Sequence, residues 1–322
     1  MIVFDAPSAI YTPGQTVTGK FLLPITKPTH IESVKLKIKG VTKTSWDRIG
    51  KVGVNYHMND EVIITNDRKD YTVPGRYPIP FEFRLPSDLP PTFTCRNAHI
   101  YYEIKILVYK NADNYSDYIR KEFYVIQKLN NQQWNNLELA LRNSHTFNAP
   151  VSSFFKECGS IKINLNCDQK ILSPGKPAEL FARITNDSTK TIEKISVKLL
   201  AMVKSFSPLS HSRNLTVHLL LEKQSLALEV LPGESKEQKC QIRIPANYVT
   251  TFDSQDIQVH HSLRVTVKFK EIFNRCISLR KPLVVGIHEN DEQEYLPMEP
   301  HYYEEVDHKV DVLPTDTEAV NV

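Results

Sequence analysis

Glycine is scarce in this chain, with 10 in 322 residues. That leaves little material for loops that cradle phosphates, and no Walker loop, dinucleotide loop or nucleophile elbow is present. No apolar run approaches the roughly 20 residues of a membrane span, and Met1 to Asp5 has neither the basic nor the apolar part of a signal peptide. The 5 cysteines are odd in number and have no close pairs. They read as reduced cytosolic thiols rather than a disulfide framework or a zinc site. The glycosylation patterns at Asn114, Asn186 and Asn214 are discounted for the same compartment. His260 and His261 are adjacent on an alternating stretch, so they point to opposite faces and cannot share a metal. Cations and aromatics are not expected to share a strand face as a nucleic-acid stacking platform requires. The expectation is a cytoplasmic, non-enzymatic protein with no catalytic residues, cofactor or metal, no nucleic-acid partner and no small-molecule substrate.

Proline, by contrast, is plentiful at 20, and one phrase is said twice. Phe83-Arg-Leu-Pro86-Ser-Asp-Leu-Pro-Pro-Thr-Phe93 runs on into Ile100-Tyr-Tyr-Glu-Ile-Lys-Ile-Leu-Val108. Its echo is Ile242-Arg-Ile-Pro245-Ala-Asn-Tyr-Val-Thr-Thr-Phe252, followed by Val259-His-His-Ser-Leu-Arg-Val-Thr-Val267. Pro86 to Pro245, Phe93 to Phe252 and Ile100 to Val259 share one offset, so the chain holds two domains of one design.

The rest fits around that repeat. Pro13-Gly14 presets a turn, after which Val17, Gly19, Phe21 and Leu23 share one face at period two. Gly19 inside this strand pattern marks a bulge or a close backbone approach. Val34, Leu36 and Ile38 alternate with Lys35, Lys37 and Lys39. Trp46 to Asp70 is expected to be a long loop or hairpin, and Gln132 to Leu141 a helical turn or two. Pro174-Gly175 and Pro232-Gly233 answer Pro13-Gly14 and Pro74-Gly75, while Leu215–Leu221 and Leu226–Val230 read as a pair of strands. The fold class is all-β, with two immunoglobulin-like antiparallel β-sandwich domains in tandem and a short acidic tail. Boundaries are placed at 1–145, a linker at 146–155, 156–288, and a disordered acidic tail at 289–322.

Several of these stretches resemble a known family. Tyr11-x-Pro13-Gly14-x-x-Val17-x-Gly19 is similar to the opening of the arrestin N-domain, and Leu85-Pro-Ser-Asp-Leu-Pro-Pro-Thr-Phe with Ile100-Tyr-Tyr-Glu-Ile is similar to its late signature. Cys158-Gly-Ser-Ile-Lys-Ile, Leu172-x-Pro-Gly and Ile184-Thr-Asn186-Asp-Ser-x-Lys190-x-Ile192 resemble the arrestin C-domain. The segment from Val41 to Trp46 points to the alpha-arrestins, the arrestin-domain-containing proteins. The resemblance implies an adaptor that binds cytoplasmic parts of membrane proteins and links them to ubiquitin ligases and trafficking or endocytic machinery, peripheral at the plasma membrane or endosomes. In that family, Pro-Pro-x-Tyr motifs in the tail contact the ligase's WW domains. Here Glu299 stands where the first Pro would be. The alternative is an arrestin-fold structural scaffold, retromer-like, without ligase recruitment.

Charge is unevenly spread. From Glu289 to the end there are eleven acids and one base, a net −10, and the remainder carries +13. The tail either solubilises the protein or folds back on the basic body. It offers three short peptide ligands: a degenerate WW or SH3 site at Pro297, Pro300 and Tyr302, a phosphorylation site at Tyr302 or Tyr303, and a PDZ ligand at Val320 and Val322. The bland reading of each is an unstructured tail. Lys35, Lys37, Lys39 and Lys43 form a stripe for an anionic membrane surface, or else a solvated sheet face whose charges deter edge pairing.

Overall fold

The computed structural model describes residues 1–46, 51–110, 115–142, 144–153, 156–207, 210–226, 229–270 and 276–291. The N-terminal half contains β1 (Ile2–Phe4), β2 (Ile10–Tyr11), β3 (Thr16–Ile25), β4 (Thr29–Ile31), β5 (Ser33–Trp46), β6 (Lys51–Thr65) and β7 (Lys69–Tyr71). β8 (Gly75–Arg84), β9 (Phe93–Cys95), β10 (Ala98–Tyr109) and β11 (Tyr115–Val125) complete it. Helix α1 (Asn131–Ala140) follows, and then β12 (Ser144–Ser153), β13 (Lys156–Cys167), β14 (Ile171–Leu172), β15 (Pro177–Ser188) and β16 (Ile192–Ser207). β17 (Ser210–Leu226), β18 (Ser235–Arg243), β19 (Phe252–Asp253), β20 (Ile257–Phe269) and β21 (Cys276–Val285) close the second half.

Each half is a sandwich. In the first, the sheet β1-β3-β8 faces the sheet β2-β11-β10-β5-β6, with β9 on β10. In the second, β12-β13-β15-β18 faces β14-β21-β20-β16-β17, with β19 on β20. The two large sheets correspond strand for strand, down to a parallel pair in each, β2 with β11 and β14 with β21. Period two explains the layering, because alternate residues of a strand face opposite sides. Val34, Leu36 and Ile38 of β5 are at most 2% exposed, while the lysines between them face out. The first core is aromatic, with Phe4, Tyr11, Phe81, Phe83, Tyr102 and Phe123 meeting mostly edge-on or tilted. The second is aliphatic, built on Ile161, Ile163, Leu180, Val197, Leu199, Leu263 and Val265.

Of the four Pro-Gly glycines, Gly14, Gly175 and Gly233 take the left-handed conformation of a turn, whereas Gly75 is instead the first residue of β8, paired with Ile25. Gly14 and Gly175 both have φ +79°, a left-handed conformation that side chains resist. Gly19 marks a close approach, since a Cβ there would lie 2.5 Å from the Val3 carbonyl and 2.6 Å from the Phe81 ring. Within the expected loop or hairpin from Trp46 to Asp70, Lys51–Thr65 is strand β6, which pairs antiparallel along the length of β5.

Two expectations are corrected. Leu215–Leu221 and Leu226–Val230 are not a pair, because β17 runs on to Leu226 alongside the long strand β16, and Val230 only bridges Ile192. Residues 146–153 of the expected 146–155 linker lie instead in the edge strand β12 (Ser144–Ser153), paired with β13 from Ser144↔Asn166 to Ser153↔Lys156. The polar residues that break the apolar pattern there suit an edge strand, which needs only one buried face.

Candidate functional site

Lys35, Lys37, Lys39 and Lys43 lie on the outward face of β5. Lys35 pairs with Glu61 at 3.0 Å and lies 4.9 Å from the Tyr109 ring centroid. The bond to Glu61 raises Lys35 above the ordinary lysine value. Lys43 lies over Tyr101 at 5.0 Å. Lys37 stands opposite Lys105 of β10, itself 3.9 Å from the Tyr118 ring, and Lys39 stands opposite Glu103. The structure therefore brings the four lysines together and interleaves them with carboxylates and rings, which corrects the expectation that cations and aromatics share no strand face: Tyr101, Lys105 and Tyr109 alternate along one face of β10.

The repeated phrase lies at the seam between the domains. Thr92 and Thr251 hold equivalent places, and each hydroxyl accepts a bond from the last strand of its sandwich, from Val125 N–H at 2.8 Å and Val285 N–H at 2.9 Å. The backbone N–H of each threonine donates back to the same residue at 2.8 Å. This double clamp is what the Thr of each Thr-Phe is for. The phenylalanines that follow, Phe93 and Phe252, meet ring to ring. Beside them the Asn55 amide donates to the Asp256 carboxylate at 2.7 Å, joining β6 to the turn before β20. His57 contacts the Thr42 hydroxyl at 2.6 Å, and burial lowers its pKa against the opposing pull of Asp256 and Asp88.

A second junction sits where the acidic segment leaves the body. Leu129 N–H donates to Ile287 O at 2.7 Å, and Glu289 N–H donates back to Leu129 O at 2.9 Å. The Glu289 carboxylate accepts from the Asn131 N–H at 3.0 Å, at the N-terminus of α1, where the helix favours an anion. Asp291, with a side chain only 7% exposed, is held by Lys176 at 2.7 Å. Lys128 reaches the Asp291 carbonyl at 3.1 Å, and Trp134 of α1 packs edge-on against His288 at 5.0 Å. The first two acids of the segment are thus fixed to both halves. Pro297, Pro300, Tyr302, Tyr303, Val320 and Val322 lie outside the described residues.

His261 is enclosed, at 2% exposure, and His260 faces the other way, 3.0 Å from Asp253. Among the described residues no three His, Cys, Asp or Glu side chains gather as a metal site would need, and no helix is long and apolar enough to cross a membrane.

Residues 1–132 match the family model of the arrestin (or S-antigen) N-terminal domain, and residues 158–290 match that of the arrestin C-terminal domain. Arrestin domain-containing protein 17 of Caenorhabditis elegans is 23% identical over 210 residues, covering 59% of this chain and 48%, about half, of that protein. Human arrestin domain-containing protein 5 is 20% identical over 270 residues, covering 79% of this chain and 77% of that protein. Mouse arrestin domain-containing protein 4 is 22% identical over 304 residues, covering 89% and 71%.

Proposed function

Because the chain belongs to the arrestin family, in its alpha-arrestin branch, with both domains in tandem, we propose that it is a non-enzymatic adaptor. It binds cytoplasmic parts of membrane proteins and links them to trafficking and ubiquitination machinery, working in the cytoplasm and peripherally at the plasma membrane or endosomes. The observation that carries this reading is the tandem match of N- and C-terminal domains over most of the chain. The seam supports it, since a hydrogen bond from Asn55 to Asp256 and the contact of Phe93 with Phe252 tie the two sandwiches together. Lys37, Lys39 and Lys43 are the proposed contacts to an anionic surface. Lys35 is a weaker one, its charge already shared with Glu61.

In this reading Pro297, Pro300 and Tyr302 engage a WW or SH3 groove, Tyr302 or Tyr303 is phosphorylated, and Val320 and Val322 reach a PDZ domain. The test is a pull-down from cell lysate with the immobilised chain, beside Tyr302→Ala. Recovery of a WW-domain ubiquitin ligase, lost on substitution, is the expected result. If no ligase is recovered, the ubiquitin part falls and the scaffold reading is left. One residue favours that second reading: Glu299, which would place a carboxylate against an aromatic groove where the family's motif has proline.

A further inference from the structure

The outer face of the second domain's large sheet carries four cations in one row on four neighbouring strands. Lys223 of β17 lies opposite Lys198 of β16, Lys198 opposite Arg264 of β20, and Arg264 opposite Arg280 of β21. Like charges directly opposed across strands are destabilising. Neighbouring strands are roughly 4.8 Å apart, so four positive charges fall within about 15 Å. Arg264 is 8% exposed, and its Nε and Nη2 are buried without any acceptor. A buried guanidinium left this way is among the costliest groups a fold can hold.

The neighbouring row, Ser225, Ser196, Thr266 and Ser278, is made entirely of hydroxyls. Beyond it Lys194 faces Lys268, which pairs with Glu193 at 3.0 Å. The first domain's large sheet is different, because Glu61, Glu103 and Glu122 and three tyrosine rings lie among its cations. The second sheet lays four cations beside four hydroxyl donors, with no carboxylate facing them in either row. An extended anion with carboxylates along its length matches that arrangement.

We propose that this row is the docking surface of the chain's own acidic segment, residues 292–322. That segment has nine acids and a single base, Lys309, with its densest run at Glu304-Glu305-Val306-Asp307. The described chain departs at Asp291, held by Lys176 close to β14, and β14 pairs with β21, which carries Arg280. At roughly 3.3 Å per extended residue, about five residues span the row, so the segment has ample length to reach and cross it. Tethering at Asp291 makes the encounter intramolecular, at an effective concentration on the order of millimolar. Docking sets carboxylates against the accessible Lys223, Lys198 and Arg280 and so offsets the three opposed pairs at once. It does not depend on which external partners the protein has.

The test is zero-length carbodiimide cross-linking of the full chain at low salt, with the joined peptides mapped by mass spectrometry. Lys198 and Lys223 are expected to couple to Glu304, Glu305 or Asp307, with a yield per molecule independent of protein concentration. Arg280→Gln, at an exposed position that leaves the core untouched, should cut that yield about threefold, as expected for losing one exposed ion pair. Cross-links spread evenly over Lys35, Lys37 and Lys39 would overturn the proposal and indicate unspecific attraction. So would an absence of cross-links, a yield unchanged by Arg280→Gln, or coupling that grows with concentration and joins two copies. In a second arm, phosphatidylserine vesicles should bind more tightly when Glu304, Glu305 and Asp307 are changed to their amides, because docking hides the face. Binding through Lys198 and Lys223 that ignores those changes would assign the face to a lipid instead.

Discussion

Phe93 and Phe252 hold the same place in their two domains, and they touch each other across the seam, ring centroids 5.9 Å apart at 67°. Phe93 is fully buried and Phe252 is 5% exposed. The phrase written twice in the sequence therefore closes on itself. Each copy clamps its own sandwich through threonine and meets the other copy through phenylalanine.

Replacing either ring by alanine should cost about 3 kcal/mol or more, the usual range for a buried phenylalanine. The double variant should cost less than the sum by about 1 kcal/mol, because the edge-on contact is lost once rather than twice. Urea denaturation of the two singles and the double measures this. Strict additivity would mean that the rings stabilise their own domains only.

Acid should weaken the protein through His261. Complete burial, with the adjacent His260 as a smaller cause, depresses its pKa from 6.5 to about 3. Between those values the unfolded chain binds a proton that the folded chain refuses, so stability falls as pH drops below 6.5, by about 1.4 kcal/mol per unit once well below it. Burial lowers His57, His99 and His145 in the same direction. The equivalent residue in the first domain is Tyr102, whose hydroxyl donates to Pro90 O at 2.6 Å. His261→Tyr should therefore lose about 2 kcal/mol less than the parent between pH 7.5 and 5.0, with His261→Gln as the control should the larger ring fail to fit. Parallel losses in parent and variants would remove His261 from the account.

Gly19→Ala should loosen the first strand. Its Cβ would strike the Val3 carbonyl and the Phe81 ring, so β1 must move or leave β3. A cost of about 1–3 kcal/mol is expected for such overpacking, with hydrogen exchange at residues 2–4 rising far more than at 98–108. Uniform exchange changes would point to general destabilisation.

Charge reversal on β5 tests the proposed membrane-facing stripe. Lys37→Glu with Lys39→Glu should weaken binding to anionic vesicles by about 1 kcal/mol per removed lysine. Lys35→Ala should do little, as Glu61 already holds that ammonium at 3.0 Å. Equal effects at all three positions would mean that the Glu61 pair does not bias the surface.

Much of the architecture could be read along the chain. The repeated phrase, the paired Pro-Gly turns and the alternation around Leu36 and Ile38 are local signals, and they pointed to two sandwiches and to the family. The misreadings came where local pattern is ambiguous. Apolar alternation continues through Leu226 and Val230, so only pairing with β16 shows that one strand ends at Leu226. Polar residues from Ser144 onward look like a linker, and only contact with β13 makes them an edge strand. The lysine stripe on β5 was visible because its members are two to four positions apart on one strand.

Strand period, turn chemistry and internal repetition belong to neighbouring residues, so the linear order sufficed for fold class, domain count and family. The surfaces were decided by folding. Lys198, Lys223, Arg264 and Arg280 come from four strands and form one row only through the register of three pairings. Register depends on which side chains fit together across strands and on where bulges fall, and no single strand carries that information. The same holds for Phe93 and Phe252, whose equivalence is plain in the sequence and whose contact exists only because the two domains pack together.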